Sequence, residues 1–248
     1  MYPIIKVANV SKNYNKKLII DNVSFSVHHS SITGILGPNG SGKTTLLKML
    51  TGLEIPDSGI IEIAGEPLKE KRKSITRIGA IIELPAFYLS LSAEENLYNL
   101  SILSPSVKEK CIQNRITEVL DVVGLLKHKN IKGKNFSLGM KQRLGIAQAL
   151  ITDPDILILD EPTNGLDVIG LSELKDLIKF YAHKRNKSFI ISSHMIAELE
   201  DIFTDLIIIN KGRIIWQGKK SDIKIDNRHS LEEFFIKVIR NVNSVSEV

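Results

Sequence analysis

Eight residues constrain this chain more than any others. From Gly37 to Thr44 it reads Gly-Pro-Asn-Gly-Ser-Gly-Lys-Thr, a full match to the pattern G-x-x-x-x-G-K-[ST]. Residues 31–36 before it read as a short buried strand, and residues 45–51 after it open an apolar helix. A glycine loop between strand and helix leaves backbone N–H groups free to converge on an anion, and a Cβ there would block close approach to phosphates. The helix beginning near Thr44 adds the positive end of its dipole. Gly37, Pro38, Asn39, Gly40, Ser41, Gly42, Lys43, Thr44 and Thr45 are therefore candidate contacts to a nucleotide. Lys43 is placed to reach the terminal phosphates as a point charge, and the Thr44 hydroxyl to ligate a magnesium ion.

The chain has 248 residues, of which 43% are apolar, enough for a sizeable core. Its 33 basic and 28 acidic residues give a net charge of +5. That suits a nucleotide-binding protein or one working beside an anionic membrane, and proves neither. The lone Cys111 allows no internal disulfide, which fits a reducing compartment. No apolar run approaches the ~18 residues of a membrane span, and the start Met1-Tyr2-Pro3-Ile4 is not a signal peptide. The expectation is a cytoplasmic protein whose membrane role, if any, passes through a partner.

Strands are expected over residues 4–10, 18–27 and 60–64, with a turn at Asn15-Lys16-Lys17, forming a small antiparallel sheet beside the glycine loop. Tyr14 sits at the tip of that turn. An aromatic there stacks on a nucleotide base, or it is simply a half-buried turn tyrosine, and spacing does not choose between the two. Residues 78–82 read as a buried strand ending at Glu83-Leu84-Pro85. Helical patterns follow over residues 93–103, 108–123 and 137–151, so that roughly residues 84–152 form a helical insert. An α/β pattern then resumes, with strands at 156–159 and 188–192, a helix at 171–181, a hairpin around Lys211-Gly212, and an amphipathic tail at 230–242.

Four further features narrow the chemistry. Ile156-Leu157-Ile158-Leu159-Asp160-Glu161 is a buried strand with carboxylates where it emerges, the end at which α/β sheets bind ligands. Asp160 is the candidate magnesium holder, through water, and Glu161 the candidate general base on an attacking water. Ser137 precedes a helix as an N-cap, and the free N–H groups there, with the Ser137 hydroxyl and the Gly139 amide, could also bind a γ-phosphate. Asn164-Gly165-Leu166-Asp167 follows closely and alone is only a turn. His194, after the strand Phe189-Ile190-Ile191-Ser192, is placed to donate to a γ-phosphate.

In this order these features resemble the nucleotide-binding subunit of an ATP-binding-cassette (ABC) transporter. The resemblance runs from Tyr14 to about Gly218. It implies one ABC ATPase domain over residues 1–248: an α/β P-loop NTPase core, RecA-like, with an antiparallel β subdomain, a helical subdomain inserted at 84–152 and a C-terminal extension at 219–248. It implies ATP and Mg2+ as cofactors, with Tyr14 as the A-loop, residues 37–44 as Walker A, 137–141 as the signature, 156–161 as Walker B, 164–167 as the D-loop and His194 as the switch. It further implies a head-to-tail pair, homodimer or heterodimer, in which Ser137 and Gly139 act in trans. The pair would drive a membrane permease from the cytoplasmic face of the membrane, peripherally and without nucleic acid.

The chain departs from the family pattern twice. Phe136-Ser137-Leu138-Gly139-Met140 stands where the family usually has Leu-Ser-Gly-Gly-Gln, keeping the serine and the second glycine. Glu83 stands where glutamine is usual. A glutamate there either binds magnesium more strongly or repels ATP, and while the ion is bound its charge outweighs the carboxylate. Glu83 is thus a candidate catalytic and metal-binding residue. The stretch Ile81-Ile82-Glu83-Leu84-Pro85-Ala86-Phe87-Tyr88 resembles subunits of bacterial exporters giving immunity to lantibiotics or resistance to bacitracin. Soluble cassette proteins acting on ribosomes or DNA are the alternative, although those usually carry two cassettes or a long coiled-coil insert. A regulatory subunit without turnover sits poorly with intact Lys43, Asp160, Glu161 and His194.

Overall fold

A computed structural model describes residues 2–68, 75–102, 109–223 and 230–245. Three fully buried strands, with apolar residues at successive positions, form its centre: β3 (Ile32–Leu36), β7 (Ile156–Asp160) and β8 (Ser188–Ser193). Runs of this kind, apolar on both faces, are the mark of parallel strands covered on both sides. With β6 (Ile78–Ile81), β9 (Asp205–Asn210) and β10 (Arg213–Lys219) they make a six-stranded sheet in the order β10-β9-β3-β8-β7-β6. All neighbours pair in parallel except β9 and β10, an antiparallel hairpin. The hairpin turns at Lys211 (φ 47°) and Gly212 (φ 79°), the two left-handed residues of a type I′ turn.

Side-chain alternation divides the core between the two faces of this sheet. Leu157, Leu159, Phe189, Ile191, Leu206 and Ile208 point to one face, where they meet the helices α2 (Ala93–Ile102), α3 (Ile112–Val122), α4 (Leu138–Leu150) and α5 (Val168–Lys184). Ile156, Ile158, Ile190, Ile207 and Ile209 point to the other, against α1 (Lys43–Leu50) and a four-stranded antiparallel sheet. That second sheet has the order β2-β1-β4-β5, from β1 (Ile5–Tyr14), β2 (Lys17–Val27), β4 (Ser58–Ile63) and β5 (Glu66–Pro67). The result is the mixed α/β P-loop architecture with an antiparallel sheet on one side and helices on the other.

Several expected boundaries shift by a few residues, and three of the shifts have a direct physical reason. β1 runs four residues beyond Val10, because register shifts after Val7, Val10 and Lys12 break its alternation without ending it. The turn contracts to Asn15 and Lys16, both left-handed, and Tyr14 becomes the last paired residue, opposite Lys17. α5 starts at Val168 rather than residue 171, because Asp167 caps it: its Oδ1 accepts from the Gly170 N–H at 2.8 Å. Leu103 and Lys108, the expected ends of two helices, lie outside the described residues.

A short α6 (Ile196–Leu199) precedes β9, and the tail forms a last helix, α7 (Leu231–Val245). Ser230 and Glu233 close the start of α7 with a reciprocal capping box. Phe234 packs edge-to-face on Trp216 of β10, ring centres 5.2 Å apart. Among the described residues no helix is long and apolar enough to cross a membrane.

Candidate nucleotide site

The carboxyl ends of β3, β7 and β8 lie side by side, and the polar residues gather there. The glycine loop leaves β3 at Gly37, where a Cβ would stand 2.4 Å from the Ile209 carbonyl oxygen and 2.5 Å from Ser41 Oγ. Gly40 and Gly42 hold φ of 76° and 108°, which side chains rarely adopt. Pro38, Asn39 and Gly40 are exposed, whereas Ser41 is buried and its hydroxyl has no hydrogen-bond partner. Helix α1 begins without a side-chain cap or an acidic first turn. An unpartnered buried hydroxyl beside uncapped N–H groups fits an incoming phosphate. Thr45 is half-buried in that first turn.

Lys43 is buried and curls back over the loop, donating to the Gly37 carbonyl at 2.8 Å. Its Nζ stands 3.5 Å from Glu161 Oε1. The other oxygen of Glu161 lies 2.7 Å from His194 Nδ1 and also accepts from the His194 backbone N–H at 3.3 Å. A carboxylate only accepts, so Nδ1 carries the proton in this contact. Glu161 thus joins Lys43 to His194, on a backbone turned left-handed at φ 48°.

Asp160 is 3% exposed and takes three donors. Thr44 Oγ1 donates to Oδ2 at 2.8 Å, Ser192 Oγ donates to Oδ1 at 2.5 Å, and the Glu83 N–H approaches Oδ2 at 3.4 Å. The Ser192 hydroxyl accepts in turn from the Glu161 N–H at 3.0 Å. Sequence reasoning passed over Ser192. Its signal was the strand register: two parallel strands ending level place Ser192 directly beside Asp160. No group of three or more His, Cys, Asp or Glu side chains clusters for a metal among the described residues. Thr44 with Asp160 nevertheless offers the sparse oxygen set on which Mg2+ settles when phosphates complete its shell.

The Glu83 side chain goes elsewhere. Its carboxylate accepts from Lys48 Nζ at 2.7 Å rather than joining Asp160 and Thr44, again on a left-handed backbone at φ 63°. Tyr14 keeps partial exposure, with the Lys12 ammonium 5.4 Å from its ring centre. Burial and a hydrogen bond to the Glu54 carboxylate push its phenol above the usual range. Asp57 braces the same turn by accepting from the backbone and side-chain N–H groups of Asn13.

Ser137 and Gly139 form a second cluster. The Ser137 hydroxyl caps α4, accepting from the Met140 N–H at 3.2 Å. Gly139 lies against Gly165 and Leu166, and a Cβ on Gly165 would stand 2.4 Å from the Leu138 side chain. The 137–139 and 164–167 segments are thus one packed unit, with Leu138 left 63% exposed. A cavity of about 790 Å³ opens beside this unit, lined by Glu83 to Leu89, by Leu138, Lys141 and Gln142 of α4, and by Glu161 and Asn164.

The family model described as ABC transporter matches residues 20–164. The chain belongs to the ABC transporter family as an ATP-binding subunit, and it is an ATPase. It is 46% identical over 235 residues to the bacitracin transport ATP-binding protein BcrA of Bacillus licheniformis, covering 94% of this chain and 75% of that protein. It is 39% identical over 232 residues to the lantibiotic transport ATP-binding protein SrtF of Streptococcus pyogenes, covering 94% of this chain and 96% of that protein. Among solved structures, an ATP-binding subunit of an ABC transporter superimposes with a TM-score of 0.85 at 26% identity, over 95% of this chain and 99% of that one. A dimeric ATP-binding cassette in a post-hydrolysis state bound to ADP and Pi superimposes with a TM-score of 0.79 at 25% identity, over 87% of this chain and 98% of that one.

Proposed function

We propose that this chain is the motor of an exporter of antimicrobial peptides of the bacitracin or lantibiotic type, docked peripherally on a separate permease at the cytoplasmic face of the membrane. The named activities of BcrA and SrtF support the cargo class. One observation carries the mechanism: the phosphate loop, Asp160, Glu161 and His194 converge, while the Ser137 hydroxyl caps α4 and Gly139 packs on the 164–167 loop. A site divided in this way is completed by a second copy of the chain.

In this reading Gly37 to Thr45 cradle the phosphates of ATP, and Tyr14 stacks on the base. Lys43 exchanges its backbone carbonyls for phosphate oxygens, a stronger, charged partner. Thr44 and Asp160, with Glu83 if its carboxylate left Lys48, would hold Mg2+, which would supply positive charge against the phosphates. Glu161 is drawn off Lys43 as that ammonium moves to phosphate, and it then takes the proton of the attacking water. General-base assistance of this kind contributes ~10²–10⁴ in rate. His194 keeps Glu161 oriented and turns its ring toward the γ-phosphate. Ser137 and Gly139 of the partner copy supply the remaining contacts to that phosphate.

Residues 84–152 act as the helical subdomain and 219–248 as the C-terminal extension. The cavity beside Leu84, Pro85, Ala86, Phe87, Tyr88 and Leu89 is the proposed seat of the permease, since it joins Glu83 to the Ser137 helix. ATP binding moves the permease only to the extent that the closed pair binds nucleotide better than the open one.

A strain lacking the gene tests the proposal. Its growth should fail at lower bacitracin or lantibiotic concentrations than the parent, with restoration by the intact chain and not by Glu161→Gln. Unchanged susceptibility across both peptide classes would remove the cargo assignment.

A further inference from the structure

Thr44 and Lys48 are four residues apart on α1 and so share one face of it. Each grips the end of a different strand. Thr44 donates to Asp160 at the end of β7, and Lys48 donates to Glu83 just beyond β6, its neighbour in the sheet. The two strand ends are tied to each other by the Glu83 N–H, 3.4 Å from Asp160 Oδ2. The Glu83 backbone is therefore anchored at the metal-binding acid, while its carboxylate is turned toward a cation four residues, a rise of about 6 Å, further along α1.

We propose that Lys48 is a positioning residue for the ATPase cycle: it holds the Glu83 carboxylate off the Thr44–Asp160 pair and yields it to that pair when the metal–nucleotide complex arrives. The inference rests on the reading of Glu83 as a metal ligand. The exchange is easy in both directions. The Lys48 and Glu83 side chains are 30% and 61% exposed, so water and salt weaken their attraction. A divalent ion beside Asp160 draws a carboxylate more strongly than one solvated ammonium does. Lys48 is not left without a countercharge, because the Glu54 carboxylate and the Tyr14 phenol also face it. The Glu83 hydrogen bond raises the Lys48 ammonium above its usual range, so it stays cationic at physiological pH. A glutamine at position 83 would carry no charge for Lys48 to hold, so the device belongs to the glutamate that this chain has.

The test is calorimetric binding of AMP-PNP, which is not hydrolysed, to the full chain across a Mg2+ titration. Glu83→Gln should raise the Mg2+ concentration needed for half-maximal binding. Lys48→Met should lower it, by about 2–5-fold given the strength of an exposed ion pair, and Lys48→Arg should restore the parent value. The double variant should match Glu83→Gln alone. A Lys48→Met titration identical to the parent's overturns the proposal. So does a shift that persists in the Glu83→Gln background, which would mark a general loss of positive charge. If Glu83→Gln itself leaves the titration unchanged, the reading of Glu83 as a ligand fails first, and the proposal with it.

Discussion

Glu161 and Glu83 both hold left-handed backbone conformations, at φ 48° and 63°, and both stand where a strand of the parallel sheet meets the nucleotide site. Such conformations cost a non-glycine residue about 1–3 kcal/mol and persist where surrounding contacts over-determine them. At Glu161 those contacts are Ser192 on the backbone and Lys43 and His194 on the carboxylate. Replacing Glu161 by glutamine keeps the shape and removes the base. Turnover should fall by about 10²-fold or more while ATP binding is retained, as measured by phosphate release and by nucleotide binding on one preparation. Turnover near the parent rate would take the base assignment away from Glu161. Ser192 is the complementary case. Its hydroxyl, fully buried, orients Asp160, and loss of such a support typically weakens metal binding 10–100-fold. Ser192→Ala should therefore shift Mg2+-dependent ATP binding by about that factor, and an unshifted titration would show that Thr44 and the Glu83 N–H suffice to position Asp160.

Between elements, close approach is set by small residues. Helix α4 lies on β6 through Gly145, where a Cβ would stand 2.6 Å from the rigid Pro85 ring. Gly145→Ala gains about 1 kcal/mol of helix propensity but forces Pro85 or α4 to move, at about 1–3 kcal/mol. The net effect should be a lower melting temperature, and a raised one would contradict the packing. The start of α2 makes a pH-dependent counterpart. The Glu95 carboxylate accepts from the Ser92 N–H at 2.7 Å while the Ser92 hydroxyl accepts from the Glu95 N–H at 3.2 Å. The backbone hydrogen bond, aided by the side-chain one, holds the Glu95 carboxyl below its ordinary value of 4.5. A depressed acid stabilises the fold above its unfolded-state pKa and loses that effect as pH falls through the folded one. The stability gap between parent and Glu95→Ala should be constant near neutral pH and shrink below about pH 4.5, and a gap that widens in acid would exclude the capping role.

These elements also show what a one-dimensional reading reaches. The strands at 32–36, 156–160 and 188–193 announce themselves by apolar residues at consecutive positions, such as 156–159 and 189–191, because both of their faces are covered. The length of β1 was hidden because bulges interrupt its alternation. The start of α5 was hidden because Val168 and Ile169, 85% and 68% exposed, break the helical period that Asp167 opens. At the site, Lys43, Thr44, Asp160, Glu161 and His194 lie in local patterns, so their types and spacings could be read directly. Ser192 and Lys48 owe their places to strand register and helix phase, which appear only when separate segments are brought together.

For the whole molecule the decisive feature is the division of the site. The phosphate loop and its acids gather at the strand ends, whereas the Ser137 hydroxyl caps α4 and Gly139 is packed against the 164–167 loop. Two copies in head-to-tail apposition would bring each phosphate loop to the other's Ser137. Mixing two inactive variants tests this most directly. Lys43→Ala destroys the loop and spares the Ser137 cluster, while Ser137→Arg does the reverse. In a mixed pair, one of the two composite sites is built entirely from intact halves. ATP turnover should therefore rise well above that of either variant alone when the two are combined and allowed to exchange. A mixture that forms mixed pairs by cross-linking and still shows only the average of the two inactive rates would contradict a site shared between two chains.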